Sequence, residues 1–186
     1  SALGYASDEE KFKKFWPADV HLIGKDIVRF HALIWPAILL SAGIELPKAI
    51  YVHGFINVDG QKMSKTIGNV VDPFKIVERY GADVARYFLL REIPSDDDGD
   101  FSEKRLAERY NGDLANGLGN LVSRVATLIE NNLGELVYDS KLIESANTKV
   151  MEEVLARCSS GVERFKLHES LAAIWELIAH ADKYVN

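Results

Sequence analysis

Two lysines three residues apart, the second of them between two hydroxyl residues, form the stretch of this sequence best suited to chemistry. The stretch, Lys62–Thr66, reads KMSKT in one-letter code, and Gly60 and Gly68 flank it. Ammonium groups in such a loop can neutralise phosphate charge, and hydroxyls and backbone N–H groups can donate hydrogen bonds to phosphate oxygens. A short polar loop with two lysines is more often only a solvated turn, so the elements around it decide between the two readings.

Two predicted strands and a helix come before this lysine loop (Lys62–Thr66). Apolar runs at 19–24 and 48–55 predict strands, and apolar residues at helical spacing predict a helix over 25–43 that Pro36 kinks. This order is typical of a parallel β–α–β unit, whose ligands lie at the C-terminal ends of the strands. These ends carry His21, Gly24, Asp26, His53 and Gly54. A buried histidine and a helix cap are the alternative interpretation of His21 and Asp26.

Helix signals follow the lysine loop. Asp72 and Pro73 suit the cap and first turn of a helix, and Gly81 suits its end. A second helix is predicted over 82–92. Its predicted buried face consists of Val84, Tyr87, Phe88 and Leu89. The acidic segment 94–100 does not have the spacing of a calcium-binding loop, which predicts a solvated connection.

From Ser102 onwards the pattern is helical. An apolar stripe with spacings of three and four predicts a bundle helix that ends at Gly134. The stripe consists of Leu114, Leu118, Leu121, Val125 and Leu128. A loop around 139–140 and two further helices, over 147–165 and 169–186, are predicted after it. A second face of the bundle helix carries a polar stripe, which is usually only a solvated surface. The polar stripe consists of Asn116, Asn120 and Arg124.

The composition indicates a globular protein without a general affinity for nucleic acid. Hydrophobic residues make up 47% and charged residues 27% of the 186 residues, and the net charge is −6. Acidic side chains outnumber basic ones in both 1–110 and 111–186, so an RNA partner would have to be held by local groups. Cys158 is the only cysteine, which excludes an intramolecular disulfide or a Cys-rich zinc site within these residues. The longest apolar run, at 32–42, is too short to span a bilayer.

The lysine loop and the segments before it resemble the methionyl-tRNA synthetases, a branch of the class I aminoacyl-tRNA synthetases. The string KMSKT resembles the class signature KMSKS, with the hydroxyl of Thr66 in place of the last serine. His21–Ile27, then Phe30-His31 and 35–37, resemble the methionine branch in particular. Residues 52–60, which end in the Asp-Gly hairpin turn, also match that branch. The resemblance runs the full length of the chain.

The resemblance implies an α/β fold followed by an all-α part. Residues 1–70 would form the second half of a Rossmann-like catalytic domain, with the lysine loop. Residues 71–101 would form a small linking fold that contacts the tRNA stem, and 102–186 a truncated α-helical anticodon-binding bundle. The family's H-x-G-H motif, its zinc-bearing insertion and the aromatic part of its methionine pocket are not in this sequence. We therefore expect a fragment with half an active site, inactive when isolated.

The function implied is ATP-dependent activation of methionine to methionyl-adenylate, followed by transfer to the 3′-terminal adenosine of tRNA(Met). Lys62 and Lys65 would be catalytic, with Lys65 stabilising the transition state. ATP, with Mg²⁺ on its phosphates, would contact His21, Gly24, Asp26, His53, Gly54, Phe55, Lys62, Met63, Ser64, Lys65 and Thr66. Ile27 and His31 would line the methionine pocket. No residue is assigned to a protein-bound metal.

The helical part would contact the tRNA. Asn116, Asn120 and Arg124 match positions that read the anticodon in this family, where an unstacked base needs donors, acceptors and a planar group. The family's anticodon tryptophan lies beyond the last helix of this chain, so Trp175 is expected to pack inside the bundle. The expected compartment is the cytoplasm, and no membrane partner is expected.

Two other readings remain open. The chain could be a non-catalytic, tRNA-binding paralogue that lacks the N-terminal half. It could also be the same portion of another class I synthetase, which Gly24–Asp26 and Phe30-His31 disfavour. An H-x-G-H strand–helix turn upstream in the reading frame would distinguish a ligase from the paralogue.

Overall fold

The computed structural model describes residues 2–132 and 148–185. The chain divides into two compact units, Ser1–Phe55 and Ile56–Asn186. The helix end predicted at Gly134 and the loop predicted around 139–140 lie outside the described residues.

The first unit is a β–α–β unit preceded by a short helix. Its elements are α1 (Glu9–Phe15), β1 (His21–Gly24), a 3₁₀ turn (Lys25–Ile27), a π-helical turn (Phe30–Ile34), α2 (Trp35–Ser41) and β2 (Ile50–His53). β1 and β2 pair in parallel, with Gly24 opposite His53. Parallel neighbours require a crossover connection, which the helical segment provides. The predicted parallel β–α–β unit is thus confirmed.

The crossover is not the single kinked helix that the pattern predicts. Its π-helical turn closes with the N–H of Trp35 donating to the carbonyl of Phe30, and Pro36 then lies in the first turn of α2. Proline has no N–H and its ring clashes with the carbonyl four residues earlier, so the first turn is where a helix tolerates it best. The change from a π-helical to an α-helical backbone therefore comes before Pro36.

Aromatic contacts hold α1 against the crossover. The backbone N–H of Lys11 donates to the Asp8 carboxylate at 3.0 Å, which caps α1. After the helix, the Trp16 ring packs edge-on against Trp35 with centroids 6.2 Å apart, and its Nε1 donates to the Glu45 carbonyl at 2.8 Å. This tryptophan therefore ties the C-terminal end of α1 to the start of α2 and to the segment that follows α2.

The second unit combines a three-stranded sheet with helices. Its elements are β3 (Ile56–Val58), β4 (Gln61–Lys62), α3 (Pro73–Tyr80), α4 (Ala82–Glu92), β5 (Gly99–Phe101), α5 (Glu103–Arg109), a π-helical segment (Tyr110–Gly119), α6 (Asn120–Asn132), α7 (Thr148–Glu163) and α8 (Leu167–Val185). The strand order is β4-β3-β5, with β3 antiparallel to β4 and parallel to β5. Asp72 caps α3 through its bond to the Phe74 N–H at 2.9 Å, which confirms the predicted helix start.

The core of this unit forms where α4, α5 and β5 meet. Phe88, Phe101 and Leu106 are buried, and the two phenyl rings pack edge-on with centroids 5.5 Å apart. The predicted burial of Phe88 is confirmed. Leu89, predicted on the same face, is 39% exposed, because one residue along a helix turns the side chain by about 100°.

The acidic segment 94–100 is not only the solvated connection that its composition predicts. Its last residues enter β5, which pairs with β3 in parallel and carries Phe101 into the core. A Cβ on buried Gly99 would overlap Ile93, so the strand requires glycine at this point. The strand arises from long-range pairing that local composition does not reveal.

Helix packing in the rest of the unit is close but uneven. A Cβ on Gly161 of α7 would overlap Ser170 of α8, whose hydroxyl donates to the Cys158 carbonyl at 2.9 Å. Of the predicted apolar stripe, Leu121 is buried, whereas Leu118 and Leu128 are 38% and 47% exposed. The stripe is therefore only partly covered. Within the described ranges, none of the helices combines the length and apolar composition needed to cross a membrane.

Candidate functional site

The strand ends of the first unit bring together three of the predicted nucleotide-binding residues. Gly24 ends β1 and lies opposite His53, which ends β2. A Cβ on Gly24 would lie 2.7 Å from Oδ1 of Asp26 and 3.6 Å from Cε1 of His53. Both side chains therefore lie against the glycine, and an alanine at this position would force the Asp26 carboxylate to move.

Asp26 offers its carboxylate to solvent at this edge. It lies in the 3₁₀ turn that begins directly after β1, its side chain is exposed, and it has no hydrogen-bond or ion-pair partner within the described part of the chain. An ionised carboxylate is acceptor-only. Such a group can accept hydrogen bonds from two adjacent hydroxyls, as a ribose would present.

Aromatic and cationic groups continue the edge beyond β2. Nδ1 of His53 lies 2.8 Å from the Gly54 carbonyl oxygen, which fixes the direction of the imidazole. Nζ of Lys25 lies 4.5 Å from the centroid of the Phe55 ring, a cation–π contact. Sequence reasoning assigned no role to Lys25, although its position between Gly24 and Asp26 was the available signal.

An apolar groove that contains two histidines lies between β1 and the crossover. The groove has a volume of about 580 Å³ and is lined by Val20, His21, Leu22, Ile23, Phe30, His31, Ile34, Trp35 and Ile38. The rings of His21 and His31 lie 6.2 Å apart and are perpendicular. Nδ1 of His31 lies 3.1 Å from the Ile27 carbonyl, whereas the Ile27 side chain does not line the groove. His21 and His31 therefore line the groove together, whereas Ile27, which was predicted to accompany His31, does not.

A tight hairpin positions the lysine loop in the second unit. β3 and β4 are joined by Asp59 and Gly60, both with positive φ of 49° and 76°. Two such residues define the type I′ turn that matches strand twist, so the predicted hairpin is confirmed. The Gly60 N–H donates to Oδ1 of Asp100 at 2.7 Å, which ties the hairpin to β5.

The loop itself is held by its own hydrogen bonds. The N–H of Thr66 donates to the Ser64 hydroxyl at 3.2 Å, and the N–H of Gly68 donates to the Ser64 carbonyl at 3.1 Å. Gly68 has a φ of 78°, a conformation in which glycine carries no steric cost. The loop is therefore a compact turn centred on Ser64.

Asn69 closes this turn from outside the recognised motif. Its Oδ1 accepts from the Ser64 N–H at 2.8 Å, and its Nδ2 donates to the Lys62 carbonyl at 3.2 Å. Sequence reasoning did not assign Asn69 to the site. An amide next to glycine at the end of a motif loop was the signal, but its bonding partners are visible only in the structure.

The two lysines differ from their neighbours in exposure. Lys62 and Lys65 are exposed, while Met63 and Ser64 are half-buried. Lys65 makes no hydrogen bond or ion pair with the residues that the structure describes. The turn therefore presents ammonium groups to solvent on a fixed backbone, an arrangement suited to binding anions.

The polar stripe lies at the join between the π-helical segment and α6. Asn116 and Asn120 are exposed. Nη1 of Arg124 donates to Oδ1 of Asp182 on α8 at 2.8 Å, with the arginine side chain 30% exposed. The amides can therefore reach a partner directly, whereas Arg124 already stabilises a helix contact.

A polar cluster joins α4, the π-helical segment and α8. The Tyr87 hydroxyl donates to Oδ2 of Asp113 at 2.6 Å and accepts from Nε1 of Trp175, whose ring packs edge-on against the Tyr87 ring. Arg109 adds a bond from Nη1 to Oδ2 of Asp113 at 3.2 Å. The half-buried Trp175 confirms the expectation that this residue packs between helices.

Burial and charge shift both acids of this cluster. Burial raises the pKa of the Tyr87 phenol well above its usual range, and the neighbouring Asp113 carboxylate raises it further. Burial also raises the pKa of Asp113, but hydrogen bonds from Tyr87 and Trp175 and the charge of Arg109 outweigh that effect. The pKa of Asp113 is therefore lowered overall.

Comparison with known proteins supports one family. The family model described as tRNA synthetases class I (M) matches residues 1–126. Methionine–tRNA ligases from Caldanaerobacter subterraneus subsp. tengcongensis and Thermotoga maritima are each 46% identical to the chain, over 195 and 189 aligned residues, and each alignment covers 100% of this chain.

A solved structure is similar over nearly the same extent. The Mycobacterium tuberculosis methionyl-tRNA synthetase bound by methionyl-adenylate superposes with a TM-score of 0.83 at 43% identity, over 95% of this chain. The chain spans 30% of the length of the two curated relatives and 35% of the solved one. The similarity therefore concerns about a third of those proteins.

Proposed function

This chain belongs to the methionyl-tRNA synthetase family of the class I tRNA synthetases. We propose that it is the part of a methionine–tRNA ligase that closes over the bound nucleotide and binds the tRNA. The observation that carries the proposal is the ordered lysine loop, with Ser64 bonded from three sides, in a chain that matches this family model over residues 1–126. The reaction class is proposed from the family, and the residue roles below are those that the resemblance implies, with the geometry as support.

The proposed reaction has two steps. A carboxylate oxygen of methionine attacks the α-phosphorus of ATP, the bond from that phosphorus to the bridging oxygen breaks, and pyrophosphate leaves. The methionyl group then passes to a hydroxyl of the terminal adenosine of tRNA, and AMP leaves. The relative solved with methionyl-adenylate supports the intermediate of this scheme.

The edge formed by β1 and β2 would bind the nucleoside. The exposed Asp26 carboxylate would accept hydrogen bonds from the ribose hydroxyls, and Gly24 would let the ribose approach the backbone. His53, Gly54 and Phe55 would frame the adenine. His31, in the apolar groove with His21, would contribute to the methionine pocket, together with the nearby Ile27.

The lysine loop would stabilise the phosphates. Phosphoryl transfer depends chiefly on positioning and on electrostatic stabilisation of the spread negative charge. Lys65, exposed and without a competing partner among the described residues, is our first choice for the transition state, and Lys62 would assist. Backbone and hydroxyl groups of Met63, Ser64 and Thr66 would shape the loop around them.

Magnesium would arrive with ATP. Among the described residues there is no group of three or more His, Cys, Asp or Glu side chains that could hold a metal ion, and the phosphates of ATP would supply most ligands of the ion. We assign no residue to the ion and derive no step through it.

The helical part would read the tRNA. Asn116 and Asn120 present exposed carboxamides, which offer a donor and an acceptor to a base edge. Arg124 would join them only by leaving or sharing its bond to Asp182. The division into a catalytic part over 1–70, a linking fold over 71–101 and an anticodon-binding bundle over 102–186 completes the proposal.

Amino-acid-dependent exchange of pyrophosphate into ATP tests the function. The intact protein that contains this chain should catalyse exchange with methionine and not with isoleucine, valine, leucine or cysteine. Exchange with another of these amino acids would assign the chain to a different class I enzyme. Absence of exchange, together with retained binding of tRNA(Met), would favour the non-catalytic paralogue.

A further inference from the structure

The carboxamide of Asn69 links two backbone positions of the lysine loop. Its oxygen accepts from the Ser64 N–H at 2.8 Å, while its nitrogen donates to the Lys62 carbonyl at 3.2 Å. Ser64 lies five positions and Lys62 seven positions earlier in the chain than Asn69. One side chain thus closes the loop that carries both lysines.

We propose that Asn69 is a positioning residue for adenylate formation, which holds the lysine loop in the shape that presents Lys62 and Lys65 to the phosphates. The inference rests on the proposed function, since it concerns the same reaction. Asn69 acts through the backbone of Ser64 and Lys62 and has no contact with reacting atoms of its own.

The chemistry of the two contacts explains why an amide is needed. One contact requires an acceptor and the other a donor, and the asparagine carboxamide supplies both from adjacent atoms. Aspartate has the same size but no donor, and its second oxygen would face the Lys62 carbonyl oxygen. Alanine has neither group. A pair of variants therefore separates the bonding from the volume of the side chain.

The location of Asn69 separates a positioning role from a role in stability. The core of this unit consists of Phe88, Phe101 and Leu106, and Asn69 is not part of it. Gly68, next to it, has a φ of 78° and bonds back to Ser64, so the turn leads directly into Asn69. Removing the carboxamide should free the loop without unfolding the unit.

The loop can be examined without any substrate. Trypsin cleaves after lysine only where the backbone can leave its folded conformation, and Lys62 and Lys65 lie on either side of the Ser64 turn. In the intact protein, Asn69→Ala and Asn69→Asp should both raise the rate of cleavage after these lysines, by about tenfold if the lost bonds account for one factor of ten in loop opening. The melting temperature should stay at the wild-type value.

The catalytic arm uses the same proteins. In methionine-dependent pyrophosphate exchange, both variants should lower kcat by about tenfold and leave the KM for methionine unchanged. Gln61→Ala is the matched control, because it removes an exposed carboxamide from β4, next to the turn of the hairpin that leads into the lysine loop. It should leave cleavage and exchange at wild-type values.

The outcomes separate this proposal from the function on which it rests. Faster trypsin cleavage with unchanged kcat in both Asn69 variants would overturn the positioning role, and so would wild-type cleavage and wild-type kcat. A melting temperature that falls with activity in both variants would make Asn69 a stability residue, which also overturns the proposal. If wild-type protein shows no exchange with methionine, the proposed function itself fails, while the cleavage result still decides whether Asn69 orders the loop.

Discussion

Lys65 carries an exposed ammonium group. Hydrogen bonds of the adjacent Ser64 hold the backbone of the loop in place. Ser64 bonds to Thr66, Gly68 and Asn69, so the loop gives its lysines a fixed base while their side chains remain in solvent. A charge arranged in advance of the reaction stabilises a transition state more effectively than one that must be recruited. The chemical importance of Lys65 can therefore be tested by truncating its side chain alone.

Lys65→Ala in the intact protein should slow adenylate formation by roughly a hundredfold or more, the usual scale for losing one charge stabiliser. The KM for methionine should hardly change, because the loop would contact phosphate rather than the amino-acid side chain. Pre-steady-state adenylation gives the rate. Lys75→Ala on α3, another exposed lysine, is the control and should behave as wild type. A fall in methionine affinity as large as the fall in rate would show that the loop has another role.

Between elements, polar contacts add to the apolar core in joining the helices of the second unit. Tyr87 of α4 bonds to Asp113 of the π-helical segment and receives a bond from Trp175 of α8. Arg109 bonds to both Asp113 and Glu92. The cluster therefore joins four helical elements, α4, α5, the π-helical segment and α8, and each of the groups named has a hydrogen-bond partner. Its strength should depend on the ionisation of Asp113.

We expect Asp113→Asn to lower the free energy of unfolding at pH 7 by about 1–2 kcal/mol, the scale for weakening charge-assisted hydrogen bonds. The folded-state pKa of Asp113 lies below its ordinary value of 3.8, so its contribution is present above that value and is lost as the pH falls through the folded-state pKa. The difference between wild type and variant should therefore shrink below about pH 4.

Urea unfolding of the chain at pH values from 7 down to 3 measures this difference. Glu78→Gln, an exposed carboxylate on α3, should have little effect over the same range. A difference for Asp113→Asn that stays constant down to pH 3 would show that the ionisation of this carboxyl does not stabilise the fold.

The polar stripe permits a separate test at the level of one helix. Asn120→Ala in the intact protein should cost about 1–3 kcal/mol of discrimination between cognate and anticodon-altered tRNA, the scale for base-edge contacts. Pyrophosphate exchange without tRNA should stay near wild type, since adenylation uses other residues. Asn111→Ala removes an exposed amide from the adjoining π-helical segment and serves as the control.

Arg124 needs its own control because it bonds to Asp182. If the arginine serves only helix packing, Arg124→Ala and Asp182→Asn should lower the melting temperature equally and leave relative tRNA discrimination unchanged. If the arginine also reads RNA, Arg124→Ala alone should reduce discrimination. Wild-type charging by both Asn120→Ala and Arg124→Ala would reduce the stripe to a solvated surface.

Taken as a whole molecule, the chain is about a third of the proteins it matches, with two compact units. The groups proposed for ATP binding are Gly24, Asp26 and His53 at the strand ends and the lysines of the lysine loop. An active site that lacks some of its contacting residues loses the positioning on which its rate depends. The H-x-G-H motif of the class is not in these residues.

The 186-residue chain alone should therefore show no methionine-dependent pyrophosphate exchange. The intact protein, assayed in parallel at equal concentration, provides the positive control, and circular dichroism establishes that the isolated chain is folded. Exchange by the isolated chain above the background without methionine would contradict this expectation.

Local signals in the sequence were sufficient for much of the architecture. The parallel β–α–β unit, the Asp59-Gly60 hairpin and the cap at Asp72 were all predicted correctly. Each depends on the conformational preference of a few consecutive residues, or on apolar spacing along one element. The resemblance carried by Lys62–Thr66 and His21–Ile27 likewise led to the family that the comparisons show.

The remaining features depend on residues far apart in the chain. β5 exists because Gly99–Phe101 pairs with β3, some forty residues earlier, although its acidic composition predicts a loop. The bond between Arg124 and Asp182 spans 58 positions, and the Asn69 carboxamide finds its partners only once the loop has folded back. A side chain's propensity describes its own backbone, whereas pairing and hydrogen-bond satisfaction depend on which groups the folded chain brings within reach.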